Sequence, residues 1–272
     1  MPELPEVEVI RRELEPLLKG KVFAEPALHM PSTIGHPNPD LFTASLPGRI
    51  IKNINRTGKY LMIKLDRGIL TVHLRMTGNL LYVENSAFEK RFLRVSLPFI
   101  DGSALHYLDM RRFGRLWLTE TEAELKEMVL KRIGPDILND LCLEDFLELL
   151  SRRQRGRIKA LLLDQGFAAG LGNIYTDECL YRSGIDPNRR VQDLKESEAE
   201  KLYQSILGVL DDGIKYGGTT FRDYRNARGA LGDFQNRLAV YGRKDELCHC
   251  GAFIAKTKVA GRGTYYCPRC QK

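Results

Sequence analysis

The sequence predicts an α+β protein built in three parts: an N-terminal helix with a β-sandwich, a helical domain, and a small metal-binding β-hairpin. Three observations carry this reading. One amphipathic helix is followed by roughly a hundred residues of short β-rich runs, the apolar period changes to helical after Gly134-Pro135, and four of the six cysteines fall in the last 25 residues.

The elements follow in chain order. Val7, Ile10, Leu14 and Leu17 recur at the 3, 4, 3 spacing of one helix face, and Gly20 marks its end. From Lys21 to about Thr119, runs such as YLMIKL, ILTVHLRM, LRVSLPFI and RLWLTE are separated by Gly, Pro and Asn, as in a sandwich of short strands. The runs LEDFLELLSRR, IKALLLDQ, NIYTDECLYRSG and SEAEKLYQSILGVLDDGIKY then read as helices. A Gly- and Arg-rich segment, GGTTFRDYRNARGALGDF over 217–234, has the composition of a mobile loop over a site. These limits divide the chain into domains at 1–133, 134–234 (with the loop 217–234) and 235–272.

Four clustered cysteines in an intracellular setting favour zinc over disulfides. Cys267-Pro-Arg-Cys270 has the two-residue gap that lets both thiolates reach one metal while turn amides face the sulfurs. Cys248-His249-Cys250 has a one-residue gap, so the expected ligands are Cys248, Cys250, Cys267 and Cys270, with His249 an alternative to a neighbouring thiolate.

Composition narrows the function classes. The chain is 43% apolar and 28% charged, and no apolar run approaches the roughly 18 residues of a membrane span. The first thirty residues are too acidic for a signal peptide, so a cytoplasmic location and no membrane partner are expected. Residues 222–272 hold 11 Lys or Arg against 4 Asp or Glu, a balance of +7 that equals the charge of the whole chain. A second cluster, RRQRGRIK, places Arg152, Arg153, Arg155, Arg157 and Lys159 within eight residues. Both clusters suit a polyphosphate backbone, although most charge runs are solvated faces.

At the other end, MPELPEVEVI puts Pro2 behind the initiator, with Glu3, Glu6 and Glu8 close after it. Pro and Glu in a first helical turn are ordinary on structural grounds alone. If Met1 is removed, however, Pro2 becomes a secondary amine flanked by carboxylates. Model α-amino groups titrate near about 7.7–8, and a helix N-terminus favours the neutral, nucleophilic form.

Taken together, PELPEVE, HLRMTG, DMRRFG, GLGNIYTDE, the Gly-rich loop and the cysteine hairpin with VAGRGT resemble bacterial formamidopyrimidine-DNA glycosylases, in the family's order and over the whole chain. The resemblance implies a helix-two-turn-helix second domain, one structural zinc and a monomer acting on damaged duplex DNA at the nucleoid. It also implies excision of 8-oxoguanine and formamidopyrimidines, followed by cleavage at the abasic site. Pro2 would attack C1′ and form a Schiff base, Glu3 would protonate the sugar ring oxygen, and Glu6 would hold the amine. Lys59 and Arg262 would clamp phosphate, together with His73 and Asn173; Asn173 also suits a helix N-cap. Met76, Arg111 and Phe113 would fill the space left by the everted nucleotide, Arg111 meeting the orphaned cytosine. Lys159 and Glu178 would contact the lesion or support the site. Thr219, Thr220, Phe221, Arg222, Asp223 and Tyr224 would close over the base mainly through backbone amides, with side-chain identity carrying little weight.

Thr57 stands where an arginine is common, which would weaken one phosphate contact. An endonuclease VIII-type relative is disfavoured by Leu4 and the Met76, Arg111, Phe113 trio. A non-catalytic zinc protein leaves PELPEVE unexplained, and an N-terminal-proline tautomerase has no use for a basic hairpin.

Overall fold

The computed structural model describes residues 2–84 and 91–272, so the processing of Met1 lies outside the described residues. The chain forms two compact units, one of residues up to Lys131 with Tyr216–Gln235, the other of Arg132–Lys215 with Asn236–Lys272.

The first unit begins with α1 (Leu4–Leu18), whose buried face is Leu4, Val7, Ile10, Leu14 and Leu18. Two sheets then pack around one core. One has the order β2-β9-β5-β4-β3, from β2 (Ile34–His36), β3 (Ile51–Thr57), β4 (Tyr60–Leu65), β5 (Ile69–His73) and β9 (Arg115–Thr119). The other has the order β1-β7-β8-β6, from β1 (Ala27–Leu28), β6 (Gly78–Val83), β7 (Leu93–Pro98) and β8 (Ala104–Asp109). Apart from the parallel pair β2 and β9, neighbours run antiparallel. Side chains such as Leu70 and Val72 from one sheet and Val95 and Leu105 from the other share a cluster with α1. The expected sandwich is therefore present. The sequence reading passes over two short helices: α2 (Pro39–Ser45), inside the β-rich region and capped by Asn38 through a bond from the Leu41 amide, and α3 (Glu122–Met128), just after it and capped by Thr121.

The segment 217–234, placed by the sequence reading in the second domain, packs with the first unit instead. The physical reason is that Tyr224 and Ala227 enter the sandwich core, while the Glu13 carboxylate receives the Asn226 side chain at 2.7 Å and the Ala227 amide at 2.9 Å.

The second unit contains α4 (Leu143–Ser151), α5 (Ile158–Leu163), α6 (Asn173–Ser183) and α7 (Glu196–Lys215). It also holds the hairpin of β10 (Ala255–Val259) and β11 (Arg262–Tyr266), so the finger and the helices that the sequence reading separated at 235 form one unit. α6 ends at Gly184 in the left-handed conformation, the usual αL stop. Among the described residues, no helix is long and apolar enough to cross a membrane.

Candidate active site and finger

In the first unit, Pro2, Glu3 and Glu6 are all buried at the start of α1. Glu3 is the N-cap of a reciprocal capping box: its side chain accepts from the Glu6 amide, and Glu6 Oε2 accepts from the Glu3 amide at 2.7 Å. Glu6 Oε1 accepts from the Thr219 amide at 2.7 Å, and the Tyr224 hydroxyl donates to the Glu6 carbonyl at 3.4 Å. One carboxylate thus ties the amino terminus to the loop. Gly218 permits the approach, because its φ is +83° and a Cβ there would lie 2.9 Å from Glu6 Cγ. Phe221, Arg222 and Asp223 are exposed, Thr219 is buried, and Thr220 donates to the Tyr224 carbonyl. Tyr224 corrects the expectation that side chains matter little here, since its ring is core and its burial beside Glu6 pushes its phenol above the ordinary range.

Lys59 is the second residue of a two-residue hairpin between β3 and β4, with Gly58 at φ +57°. Arg56 braces this turn by donating to the Gly58 carbonyl at 2.9 Å and to Glu8 Oε2 at 3.1 Å. Burial raises the Glu8 carboxyl, but hydrogen bonds from Arg11 and Arg12 outweigh it and hold it down at about 2. His73, at the end of β5, packs edge-on to Tyr60 with ring centroids 4.4 Å apart and accepts from the Arg75 amide at 3.0 Å. Burial, with the charges of Arg75 and Lys59, depresses it to about 3, so it is neutral near pH 7.

Met76 and Phe113 are 39% and 48% exposed, which excludes a core role for either. Arg111 is also exposed, its guanidinium lying 4.9 Å from the centre of the Phe113 ring. The two loops bearing this trio share one buried anchor that the sequence reading missed. Asp109 Oδ1 accepts from Thr77 Oγ1 and from the Arg111 amide at 3.1 Å, while Oδ2 accepts from the Gly114 amide at 2.8 Å. Its only sequence signal was its place at the head of DMRRFG.

In the second unit, Lys159 differs from its exposed arginine neighbours. Its side chain is 0% exposed and bonds Asp177 Oδ1 at 2.6 Å and Thr264 Oγ1 at 2.8 Å, so it joins α5, α6 and the finger internally, a supporting position. Burial pushes the Asp177 carboxyl up against the pull of that ammonium. Asn173 is the first residue of α6, with Gly172 as the N-cap, and its side-chain nitrogen donates to the Gly263 carbonyl at 2.8 Å. The Glu178 carboxylate accepts three amides, those of Ala239, Val240 and Tyr241 at 2.8, 2.9 and 2.8 Å. Arg152, Arg153, Arg155 and Arg157 are exposed.

Arg262 is exposed where β11 leaves a two-residue turn, with Ala260 at φ +47° and Gly261 at +76°, the signs of a type I′ turn. The ligand atoms of Cys248, Cys250, Cys267 and Cys270 all lie within 4.8 Å of one another. Cys248 and Cys270 are 3.8 Å apart and Cys250 and Cys267 3.5 Å, whereas a tetrahedral zinc with bonds of about 2.3 Å asks for sulfurs about 3.8 Å apart. The donor set fits one structural zinc, four thiolates leaving no open position.

The comparisons agree with this construction. The family described as the formamidopyrimidine-DNA glycosylase N-terminal domain matches residues 1–116, its H2TH domain matches 133–225, and the zinc finger found in FPG and IleRS matches 249–272. Formamidopyrimidine-DNA glycosylases of Desulforamulus reducens and Geobacillus kaustophilus are 44% and 43% identical to this chain, covering all of it and 99% and 100% of their own lengths. Two Lactococcus lactis Fpg structures superpose with a TM-score of 0.91 at 38% identity over all of both chains: a point mutant with Fapy-dG-containing DNA, and a complex with abasic-site DNA. By full-length sequence, by fold and by the finger's four sulfurs, the chain belongs to the formamidopyrimidine-DNA glycosylase family.

Proposed function

We propose that this protein is a monomeric, cytoplasmic bifunctional DNA glycosylase and AP lyase. It removes 8-oxoguanine and formamidopyrimidines from duplex DNA at the nucleoid. The observation that carries the reading is the buried Pro2, Glu3 and Glu6 terminus joined to the 217–234 segment through Glu6. Once Met1 is gone, the Pro2 nitrogen forms a bond to C1′ as the glycosidic bond breaks, and the base leaves with the bonding pair. Glu3 gives a proton to the ring oxygen, opening the sugar to an iminium ion. The cation acidifies the neighbouring C–H bonds, so loss of the 3′ and then the 5′ phosphate follows. Glu6 positions the terminus and the Thr219 amide together.

Lys59, Arg262, His73 and Asn173 hold phosphates, His73 as a neutral partner. Met76, Arg111 and Phe113 occupy the vacated stack, Arg111 reading the opposite base. The unit of residues up to 131 with 216–235 carries the catalytic terminus, and the unit of 132–215 with 236–272 joins the helix-two-turn-helix to the finger, where zinc is structural and supplies order. Borohydride with 8-oxoguanine duplex should cross-link the N-terminal peptide through Pro2. A cross-link on Lys59, or full base release by protein retaining Met1, would sink the assignment.

A further inference from the structure

The two knuckles of the finger are unequal. In the full-length one, Cys267-Pro-Arg-Cys270, the two-residue gap puts the amides of Arg269 and Cys270 in the turn behind the Cys267 sulfur, the place from which backbone donors serve a thiolate. The Cys248-His249-Cys250 knuckle is one residue shorter and so has one turn amide fewer to offer its first sulfur. A thiolate on zinc needs such donors to disperse its charge, and outer donors of this kind orient and tune the ligand. In place of a second amide, a side chain from another element reaches Cys248: the Tyr181 hydroxyl lies 3.2 Å from its sulfur. The same hydroxyl lies 2.6 Å from His249 Nδ1, with the two rings edge to face.

Tyr181 does not reach this position by chance of packing. Asn173, Asp177 and Tyr181 repeat every four residues along α6 and so form one stripe of that helix. Asn173 bonds the Gly263 carbonyl, Asp177 Oδ2 accepts from the Tyr265 amide at 2.9 Å, and Tyr181 closes the row at the short knuckle. Tyr181 also packs against the small apolar cluster of Val240, Cys248, Ile254 and Cys267, which fixes its ring.

We propose that the Tyr181 hydroxyl replaces the amide lost with the missing knuckle residue, donating to the Cys248 thiolate while His249 Nδ1–H donates to the phenol oxygen and aims it. Tyr181 is a positioning residue for zinc, and His249 is an outer partner that leaves the four-cysteine ligand set intact. The inference concerns metal retention and stands whether or not the glycosylase assignment does.

The test uses the full zinc-loaded chain and a chromophoric chelator, with cobalt substitution as a second reading. Tyr181→Phe keeps the ring and removes the donor, so zinc affinity should fall about 10–100-fold, the usual loss for an outer-shell partner. His249→Ala should weaken zinc less, and its cobalt form should keep both the charge-transfer bands of four thiolates and their d–d bands. Inserting an Arg between His249 and Cys250 in the Tyr181→Phe protein restores a two-residue gap and its amide, and should return most of the lost affinity. Wild-type retention by Tyr181→Phe would overturn the proposal. So would failure of the insertion to rescue, which would assign the loss to packing, or a shift of the d–d bands in His249→Ala, which would make the histidine a ligand.

Discussion

Replacing Asp109 by asparagine tests how the two loops carrying Met76, Arg111 and Phe113 are held. The carboxylate is buried and both its oxygens are in use, one toward Thr77 and the Arg111 amide, the other toward the Gly114 amide. The carboxamide of Asp109→Asn could keep one side only. If its oxygen stays on Thr77 and Arg111, its NH₂ faces the Gly114 N–H, and two donors confront each other. The Tyr107 hydroxyl, 3.4 Å from Oδ2, can rotate to accept, but the glycine amide cannot. Losing a hydrogen bond to a charged acceptor costs about 1.5–3 kcal/mol and stranding a buried donor about 1–3. We therefore expect about 3 kcal/mol or more, which at roughly 2–4 °C per kcal/mol is a fall in Tm of about 6–12 °C. Gly114 has no room to retreat, since a Cβ there would sit 1.5 Å from the Tyr107 hydroxyl. The loops carrying Met76, Arg111 and Phe113 should loosen, and preference for cytosine opposite 8-oxoguanine should weaken before base release does. Calorimetry and excision from duplexes with each of the four opposite bases measure both. A variant with wild-type Tm and wild-type discrimination would refute the reasoning.

Three further outcomes follow from the same geometry. His73 is held at about 3 in the folded chain against an ordinary 6.5, so between these values the unfolded chain binds the extra proton; its stability contribution is complete above pH 6.5 and falls by about 1.4 kcal/mol per unit as pH drops toward 3. Denaturant midpoints from pH 7.5 to 5 should therefore drop less in His73→Gln, and equal slopes would disprove the point. Lys159→Ala leaves Asp177 buried without its cation and should cost about 3–5 kcal/mol, while the paired change Lys159→Met with Asp177→Leu should cost much less; equilibrium unfolding that ranks them the other way would contradict the buried-pair reading. Ala260 holds φ +47° in a turn that favours Asn-Gly, so Ala260→Asn should stabilise by about 1 kcal/mol, and a lowered midpoint would count against the turn type.

The large periodic elements and the residues at chain punctuation were legible in the sequence. α1 could be read because its core stripe is uninterrupted, and the four cysteines because soft ligands at close spacing have few other uses. What could not be read were side chains whose partners lie far along the chain. Lys159 has the look of its arginine neighbours, and only the fold places Asp177 and Thr264 around its ammonium. Asp109 and Arg56 likewise act through amides and carbonyls of turns, which leave no mark on local composition. The short helices α2 and α3 rest on caps at Asn38 and Thr121 rather than on a long apolar period, so a reading by period passed over them.

The first unit is not continuous in the chain: it is finished by Tyr216–Gln235, after the helices of the second unit have been made. During synthesis the sandwich therefore emerges with its Tyr224 and Ala227 positions unfilled, and with the Glu6 carboxylate lacking the Thr219 amide that lies 213 residues away. Domains tend to fold as they leave the ribosome, but this one must wait for its last segment, and contacts of such separation are slow to close. A nascent or truncated chain ending before residue 216 would carry Pro2, Glu3 and Glu6 without the strap that completes their surroundings. Order of synthesis thus keeps the surroundings of Pro2, Glu3 and Glu6 incomplete until nearly the whole polypeptide exists.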